Sequence, residues 1–96
     1  MSSPQKTPKT NELLVEVFDD LKELLATKVK FSEHLITSRD TLTGDLGFSK
    51  SGLRDFADKI NAFPKFAQYH VSITGTKVAS CGTVGELAIA IYTAIP

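Results

Sequence analysis

Residues 45–63 constrain the fold of this chain more than any other stretch, because a turn that contains a glycine leads directly into an amphipathic helix. If Ser49 is the N-cap, its hydroxyl accepts an early helical N–H, and Phe48 and Leu53 fall at the two positions of a hydrophobic staple. The pattern predicts a helix over about 49–62 with one buried face. That face consists of apolar residues at three- and four-residue steps: Leu53, Phe56, Ile60 and Phe63.

Two further helices are predicted towards the ends of the chain. Apolar residues repeat on one face over about 11–27, and Thr10 or Asn11 can cap that helix. Thr83 and Glu86 have the spacing of a capping box, and the residues after them are almost all apolar. The last helix is therefore expected to begin there and to be buried on most sides.

The segments before and between these helices differ in composition. Residues 1–10 have no apolar residue after Met1 and predict a flexible tail. The domain is then expected to occupy residues 11–96. Residues 28–47 carry apolar residues at irregular spacing and predict a long connection. We expect this connection to fold back on the core, because its apolar side chains need burial.

The stretch after Pro64 is ambiguous by pattern alone. Its apolar residues alternate with polar ones, at Tyr69, Val71 and Ile73, a period typical of a strand. A single short strand has no partner to pair with, so we expect an extended linker instead. A short helical turn should follow, beginning at Thr74 or Gly75 and ending at about Ser80.

Composition limits the class of protein. The 96 residues suffice for one domain, and eleven basic residues balance eleven acidic ones. A chain without net charge has no overall field that would attract nucleic acid or anionic lipid. No apolar run reaches the roughly 18 residues of a spanning helix. We therefore expect a soluble, cytoplasmic, monomeric protein that binds neither nucleic acid nor membrane.

One cysteine and two histidines are the remaining candidates for chemistry. Cys81 alone can form neither an internal disulfide nor a cysteine-rich metal site, and its context indicates a small residue of a loop or core. His34 and His70 lie far apart and have no partner at ligand spacing. Nothing in the spacing places a nucleophile beside a base. We expect no metal site, no catalytic residue and no enzymatic activity.

Three matches in a fixed order resemble a known family. The first is the segment Ile-Thr-Ser-Arg-Asp-Thr-Leu-Thr-Gly-Asp-Leu-Gly, which ends at Gly47 shortly before the second helix. The second is the start of the next helix within a few residues of Gly47. The third is Thr-Val-Gly-Glu-Leu-Ala-Ile-Ala-Ile, which opens the last helix at Thr83. From Ile73 to Val84 the spacing also matches that family without a gap. Over nearly all of residues 11–95 the chain resembles the acyl carrier protein family and its relatives, the peptidyl carrier domains. The resemblance implies an all-α fold, a four-helix bundle of acyl-carrier-protein type with a short third helix.

In that family a transferase attaches 4′-phosphopantetheine to the serine of an Asp-Ser-Leu motif at the start of helix 2. Here Phe-Ser-Lys-Ser-Gly-Leu stands in its place. Counting forward from Gly47 without a gap puts Lys50 at the modified position, and lysine cannot form the phosphoester. A loop shorter by one residue puts Ser49 there, and a longer loop puts Ser51 there, with Gly52 where the family has leucine. The resemblance names Ser49 first and Ser51 second, and absence of the attachment is the third possibility.

The resemblance implies a carrier rather than an enzyme. Modified on Ser49 or Ser51, the chain would carry a thioester-bound acyl group in fatty acid or polyketide biosynthesis. Its partners would be a phosphopantetheinyl transferase and acyl-transferring enzymes. The alternative is a carrier fold without the prosthetic group that acts as a protein-interaction module. The family's second helix is usually strongly acidic, whereas here its charges offset each other: Lys50, Arg54 and Lys59 against Asp55 and Asp58.

Overall fold

The computed structural model describes residues 9–29 and 32–96. Over these ranges the chain is all-α, as predicted, and contains no β-strand. A single 3₁₀ turn, Glu33–Leu35, lies in the loop after the first helix. The sequence predicted four helices, whereas the described ranges contain five: α1 (Asn11–Ala26), α2 (Lys50–Ala62), α3 (Pro64–Ala67), α4 (Gly75–Ala79) and α5 (Val84–Thr93).

Four of the five helices begin at a hydroxyl side chain that accepts the N–H of the residue three positions later, at 3.0–3.1 Å. Each cap satisfies one of the N–H groups that a helix leaves unpaired at its start. The predicted capping box at α5 is only half formed, because the Glu86 carboxylate accepts the N–H of Gly82 instead of the Thr83 N–H. The four capping residues are Thr10, Ser49, Thr74 and Thr83.

Helix α3 corrects the predicted linker. Phe63 ends α2 in an extended conformation, and Pro64 then occupies the first position of α3. The φ of proline suits the first turn of a helix. Phe63 is therefore both the C-cap of α2 and the N-cap of α3. Phe66 is fully buried and holds α3 on the core. The tight pair of helices was missed because proline was interpreted only as a terminator.

The rest of the predicted linker is extended, as expected, but shorter. His70 has a φ of +60° and ends the turn that follows α3. Residues 71–74 then have no regular secondary structure. Val71 and Ile73 are buried, while Ser72 between them is exposed. The alternation therefore reflects an extended segment with one side facing the core. The segment does not pair with a strand in the part of the chain that the structure describes.

Helix α1 packs on α5, and α2 packs on α4. All four helices contribute side chains to one buried core. The loop between α1 and α2 does fold back, and it buries Ile36, Leu42 and Leu46. Leu35 is an exception to the predicted burial, because 61% of it is exposed. In the described ranges, no helix has the length and apolar character needed to cross a membrane. The largest fully buried side chains are Phe56, Phe66, Leu21, Leu25, Leu42, Leu53, Ile60, Leu87, Ile91, Ile95, Val17 and Val78.

The predicted flexible tail lies mostly outside the described residues. Thr10 belongs to the helical domain as the cap of α1. Lys9 also contacts the domain, since its ammonium lies 3.4 Å from the carbonyl of Thr93 and above the ring of Tyr92. The described part of the chain therefore begins in contact with the end of α5.

Candidate functional site at the start of α2

A closed turn precedes α2 and fixes where the helix begins. The Thr41 N–H donates to the carboxylate of Asp45 at 2.8 Å, and the Asp45 N–H donates to the Thr41 hydroxyl at 2.9 Å. Gly47 then adopts a φ of +83°, which redirects the chain at a position where glycine is favoured. The Phe48 N–H donates to the carbonyl of Leu42 at 2.9 Å. These bonds tie the chain to the loop immediately before Ser49.

Ser49 is the N-cap of α2, as predicted, and its side chain is exposed. Its Oγ accepts the N–H of Gly52 at 3.0 Å and lies 3.3 Å from the hydroxyl of Ser51. The first turn of α2 contains no acidic residue. The hydroxyl therefore lies at the positive end of the helix dipole, where a negative charge is stabilised.

Phe48 and Gly52 shape the surface beside this hydroxyl. The ring of Phe48 packs on Phe56, with ring centroids 5.3 Å apart, while Leu53, its predicted staple partner, is fully buried. A groove of about 280 Å³ adjoins these residues. A Cβ at position 52 would lie 3.1 Å from the Ser49 Oγ. Glycine thus leaves the oxygen uncrowded on the side of this groove.

Lys50 follows Ser49 and contacts a distant part of the chain. Its side-chain ammonium donates to the backbone carbonyl of Ala79 at 2.9 Å. Ala79 is the last residue of α4, where carbonyl groups lack helical partners and a cation is favourable. The residue at the ungapped position of the family's serine therefore connects the start of α2 to the end of α4.

Two further contacts hold α4 along α2 in an antiparallel arrangement. The side-chain amide of Asn61 pairs with both backbone groups of Ile73, accepting from its N–H and donating to its carbonyl, each at 2.9 Å. Gly75 packs so closely on α2 that a Cβ there would lie 2.9 Å from the carbonyl oxygen of Arg54. The contact of Lys50 thus lies at the end of α4, that of Gly75 at its first residue, and that of Asn61 just before it.

The other predicted residues lie in separate elements. His34 is exposed in the 3₁₀ turn, and His70 is exposed after α3. Cys81 is buried, and its Sγ lies 3.4 Å from the carbonyl of Lys77. Burial raises the pKa of the Cys81 thiol, which lowers its thiolate fraction at neutral pH. Within residues 9–29 and 32–96, no group of three or more His, Cys, Asp or Glu side chains could hold a metal ion.

Sequence reasoning missed the contacts of Lys50 and Asn61. Asn61 offered a weak signal, because it is an amide at the edge of the apolar stripe near the end of α2. Lys50 offered none, since an exposed lysine at a helix start has no pattern that names a partner 29 residues away.

Comparison with protein-family models, with curated proteins and with solved structures finds no match to this chain. The interpretation of Ser49 therefore depends on the sequence motifs and on the local geometry described above.

Proposed function

We propose that this chain is an acyl-carrier-like protein that is modified on Ser49 with 4′-phosphopantetheine. In this proposal α1, α2, α4 and α5 form a four-helix bundle of acyl-carrier-protein type, and α4 is its short third helix. The additional α3 lies between the second and third helices of that bundle. The protein would act in the cytoplasm as a monomer and would not be an enzyme.

The exposed hydroxyl of Ser49 carries this proposal. It lies at the start of a 13-residue helix, directly after the turn at Gly47, and no acidic side chain occupies the first turn. When bound, the phosphopantetheine group supplies a thiol on which an acyl group is carried as a thioester. The α2 terminus would stabilise the charge of the phosphodiester on Ser49.

The attachment reaction balances with coenzyme A as the donor. An O–P bond forms at the Ser49 Oγ, and the pyrophosphate bond of coenzyme A breaks. Adenosine 3′,5′-bisphosphate leaves, and the hydroxyl proton passes to the transferase or to solvent. The partners are thus a phosphopantetheinyl transferase and enzymes that transfer acyl groups, as in fatty acid or polyketide biosynthesis.

Intact-mass measurement tests the proposal. Incubation with coenzyme A and a promiscuous phosphopantetheinyl transferase should add the mass of one phosphopantetheine group. Ser49→Ala should abolish this gain and, through loss of the cap, lower the free energy of unfolding by about 0.5–2 kcal/mol. Ser51→Ala is the matched control and should still be modified. If the gain persists in Ser49→Ala and disappears in Ser51→Ala, the attachment site is Ser51.

The structure also favours a second candidate, an interaction module that carries no prosthetic group. The Ser49 Oγ already accepts the N–H of Gly52 and lies within hydrogen-bond distance of Ser51, so the serine has a structural role without modification. No mass gain with the promiscuous transferase, and none with a transferase encoded beside the protein's own gene, would favour this module.

A further inference from the structure

The position of Lys50 links the candidate attachment site to a distant helix. Lys50 is the neighbour of Ser49 in the chain, and its ammonium donates to the Ala79 carbonyl at the end of α4. We propose that Lys50 is a positioning residue that couples the charge on residue 49 to the seating of α4 on α2. The inference rests on the proposed function, because the charge in question is that of the phosphodiester on Ser49.

The chemistry of the bond makes such coupling possible. The Ala79 carbonyl is a neutral acceptor, whereas a phosphodiester oxygen on Ser49 would be an anionic one. The bond to Ala79 already has a charged donor, and an anionic acceptor would add the Coulombic attraction between two opposite charges. Lys50 is exposed and its side chain has a flexible four-carbon stem, so its ammonium can change partners without movement of the backbone. A negative charge on residue 49 therefore competes with Ala79 for the same ammonium.

Helix α4 is sensitive to this loss because it is short. It has five residues, far below the length at which a helix is stable by itself in water. Asn61 holds the segment before α4 through Ile73, whereas the side-chain contact at its last residue is that of Lys50. Loss of the Lys50 bond should therefore loosen the end of α4 before its start.

Loss of the Lys50 bond should change the surface at the end of α4. Residues 78–81 are here called the α4 end segment, and two of them, Ser80 and Cys81, line a cavity of about 480 Å³ between α4 and α5. A partner enzyme would meet a firmly seated α4 end segment in the unmodified chain and a looser one in the modified chain. Lys50 would thus let partners distinguish the two forms by a difference in the surface beside the attachment site.

Amide hydrogen exchange tests the coupling in Ser49→Asp and Ser49→Asn. Both Asp and Asn cap helices well, so the two variants differ mainly in the charge at residue 49. The measured amides are those of Val78, Ser80 and Cys81, each of which donates to a carbonyl at 3.1 Å. Exchange at these amides should be about three- to tenfold faster in Ser49→Asp than in Ser49→Asn.

The same pair of variants in a Lys50→Met background supplies the control. There both should exchange at the same, faster rate, because no ammonium remains for the charge to attract. A purely structural role of Lys50 would accelerate exchange on its removal but would give equal rates for Ser49→Asp and Ser49→Asn when Lys50 is present. Exchange at the amides of α1 reports global stability. If exchange there is also faster in Lys50→Met, Lys50→Gln is used in its place.

Two results would overturn the coupling: equal exchange in Ser49→Asp and Ser49→Asn with Lys50 present, or a difference that survives Lys50→Met. Neither result depends on whether a transferase modifies the protein. Absence of a mass gain in the wild-type chain with both transferases would refute the proposed function, whereas these exchange rates would still decide whether Lys50 couples charge at residue 49 to α4.

Discussion

Two pairs of helices in this protein are held together by different means. Helices α1 and α5 have 16 and 10 residues and bury five side chains each. Helix α4 has five residues and buries only Val78 and Ala79, so it offers α2 little apolar area. Its position depends instead on specific contacts with α2: the amide of Asn61, the ammonium of Lys50 and the close approach of Gly75.

The comparison shows what each kind of contact provides. Apolar burial stabilises roughly in proportion to area and has no preferred direction. A hydrogen bond to a backbone group requires defined geometry, and an unpaired buried partner is costly. The candidate site at Ser49 lies beside the pair that depends on specific contacts. Its surroundings can therefore change when one side chain changes partner, whereas the α1–α5 pair cannot respond in that way.

The largest effect should come from the buried face of α1. Leu21 is fully buried, and Leu21→Ala should lower the free energy of unfolding by about 2–5 kcal/mol through lost burial and a residual cavity. Val15 lies on the same helix but is 58% exposed, so Val15→Ala should change stability by less than about 0.5 kcal/mol. Urea unfolding of both variants measures the difference. Equal losses would show that burial does not hold α1 in place.

Next comes the amide that holds the segment before α4. Asn61→Ala leaves both backbone groups of Ile73 without their partner and should cost about 1–3 kcal/mol. Asn61→Asp keeps an acceptor for the Ile73 N–H but places a carboxylate oxygen against the Ile73 carbonyl, so it should cost at least as much. Chemical denaturation gives the total loss in the free energy of unfolding. Amide exchange should accelerate more in α4 than in α1. Uniform acceleration would mean that Asn61 stabilises the whole fold rather than this pair of helices.

A methyl group on Gly75 should separate α4 from α2. Gly75→Ala would place a Cβ 2.9 Å from the Arg54 carbonyl oxygen and 3.1 Å from the Arg54 Cα, both backbone atoms that move only with the helix. We expect a loss of about 1–3 kcal/mol, although Gly→Ala at an unstrained position stabilises by about 0.4–1 kcal/mol. Gly47→Ala is a useful contrast, because it meets no atom within 4 Å and is disfavoured only by its φ of +83°. Exchange in α4 should accelerate in Gly75→Ala alone; a gain in stability would contradict the close contact.

The smallest effect concerns polar contacts that face solvent. The ammonium of Lys65 in α3 lies 3.8 Å from Asp20 and 2.6 Å from Glu23, both in α1. Burial raises the pKa of Asp20 above its usual 3.8; Lys65 opposes this shift, while Glu16 and Glu23 add to it. The folded state thus binds this proton more tightly than the unfolded chain. Its contribution to stability is fully present below pH 3.8 and is lost as the pH rises through the raised pKa.

Asp20→Asn should therefore gain stability relative to the wild type as the pH rises from about 3 to about 7. Unfolding midpoints across this range measure the change. Asp19→Asn removes a charge from an exposed neighbouring position and controls for general repulsion within α1. A wild-type advantage that grows with pH would show that the Lys65 contact outweighs the burial of Asp20.

Local signals predicted much of the fold correctly. Thr10, Ser49 and Thr83 begin helices where their side chains and spacing indicated, because a capping bond spans only three residues. The candidate serine at the start of α2 could likewise be placed as an N-cap from its neighbours. Helix α3 was missed because Pro64 was interpreted only as the end of α2. The burial of Phe66, which holds that single turn on the core, also depends on residues far away in the chain.

By itself the sequence determined the all-α class, the positions of the main helices and the location of Ser49 at a helix start. These follow from periodicity and capping, which act between residues a few positions apart. Only the tertiary structure decided that Lys50 donates to Ala79 and that Asn61 pairs with Ile73. Such bonds join backbone groups to side chains distant in sequence. Any exposed lysine or asparagine could make them, so their partners are chosen only when packing brings the two helices together.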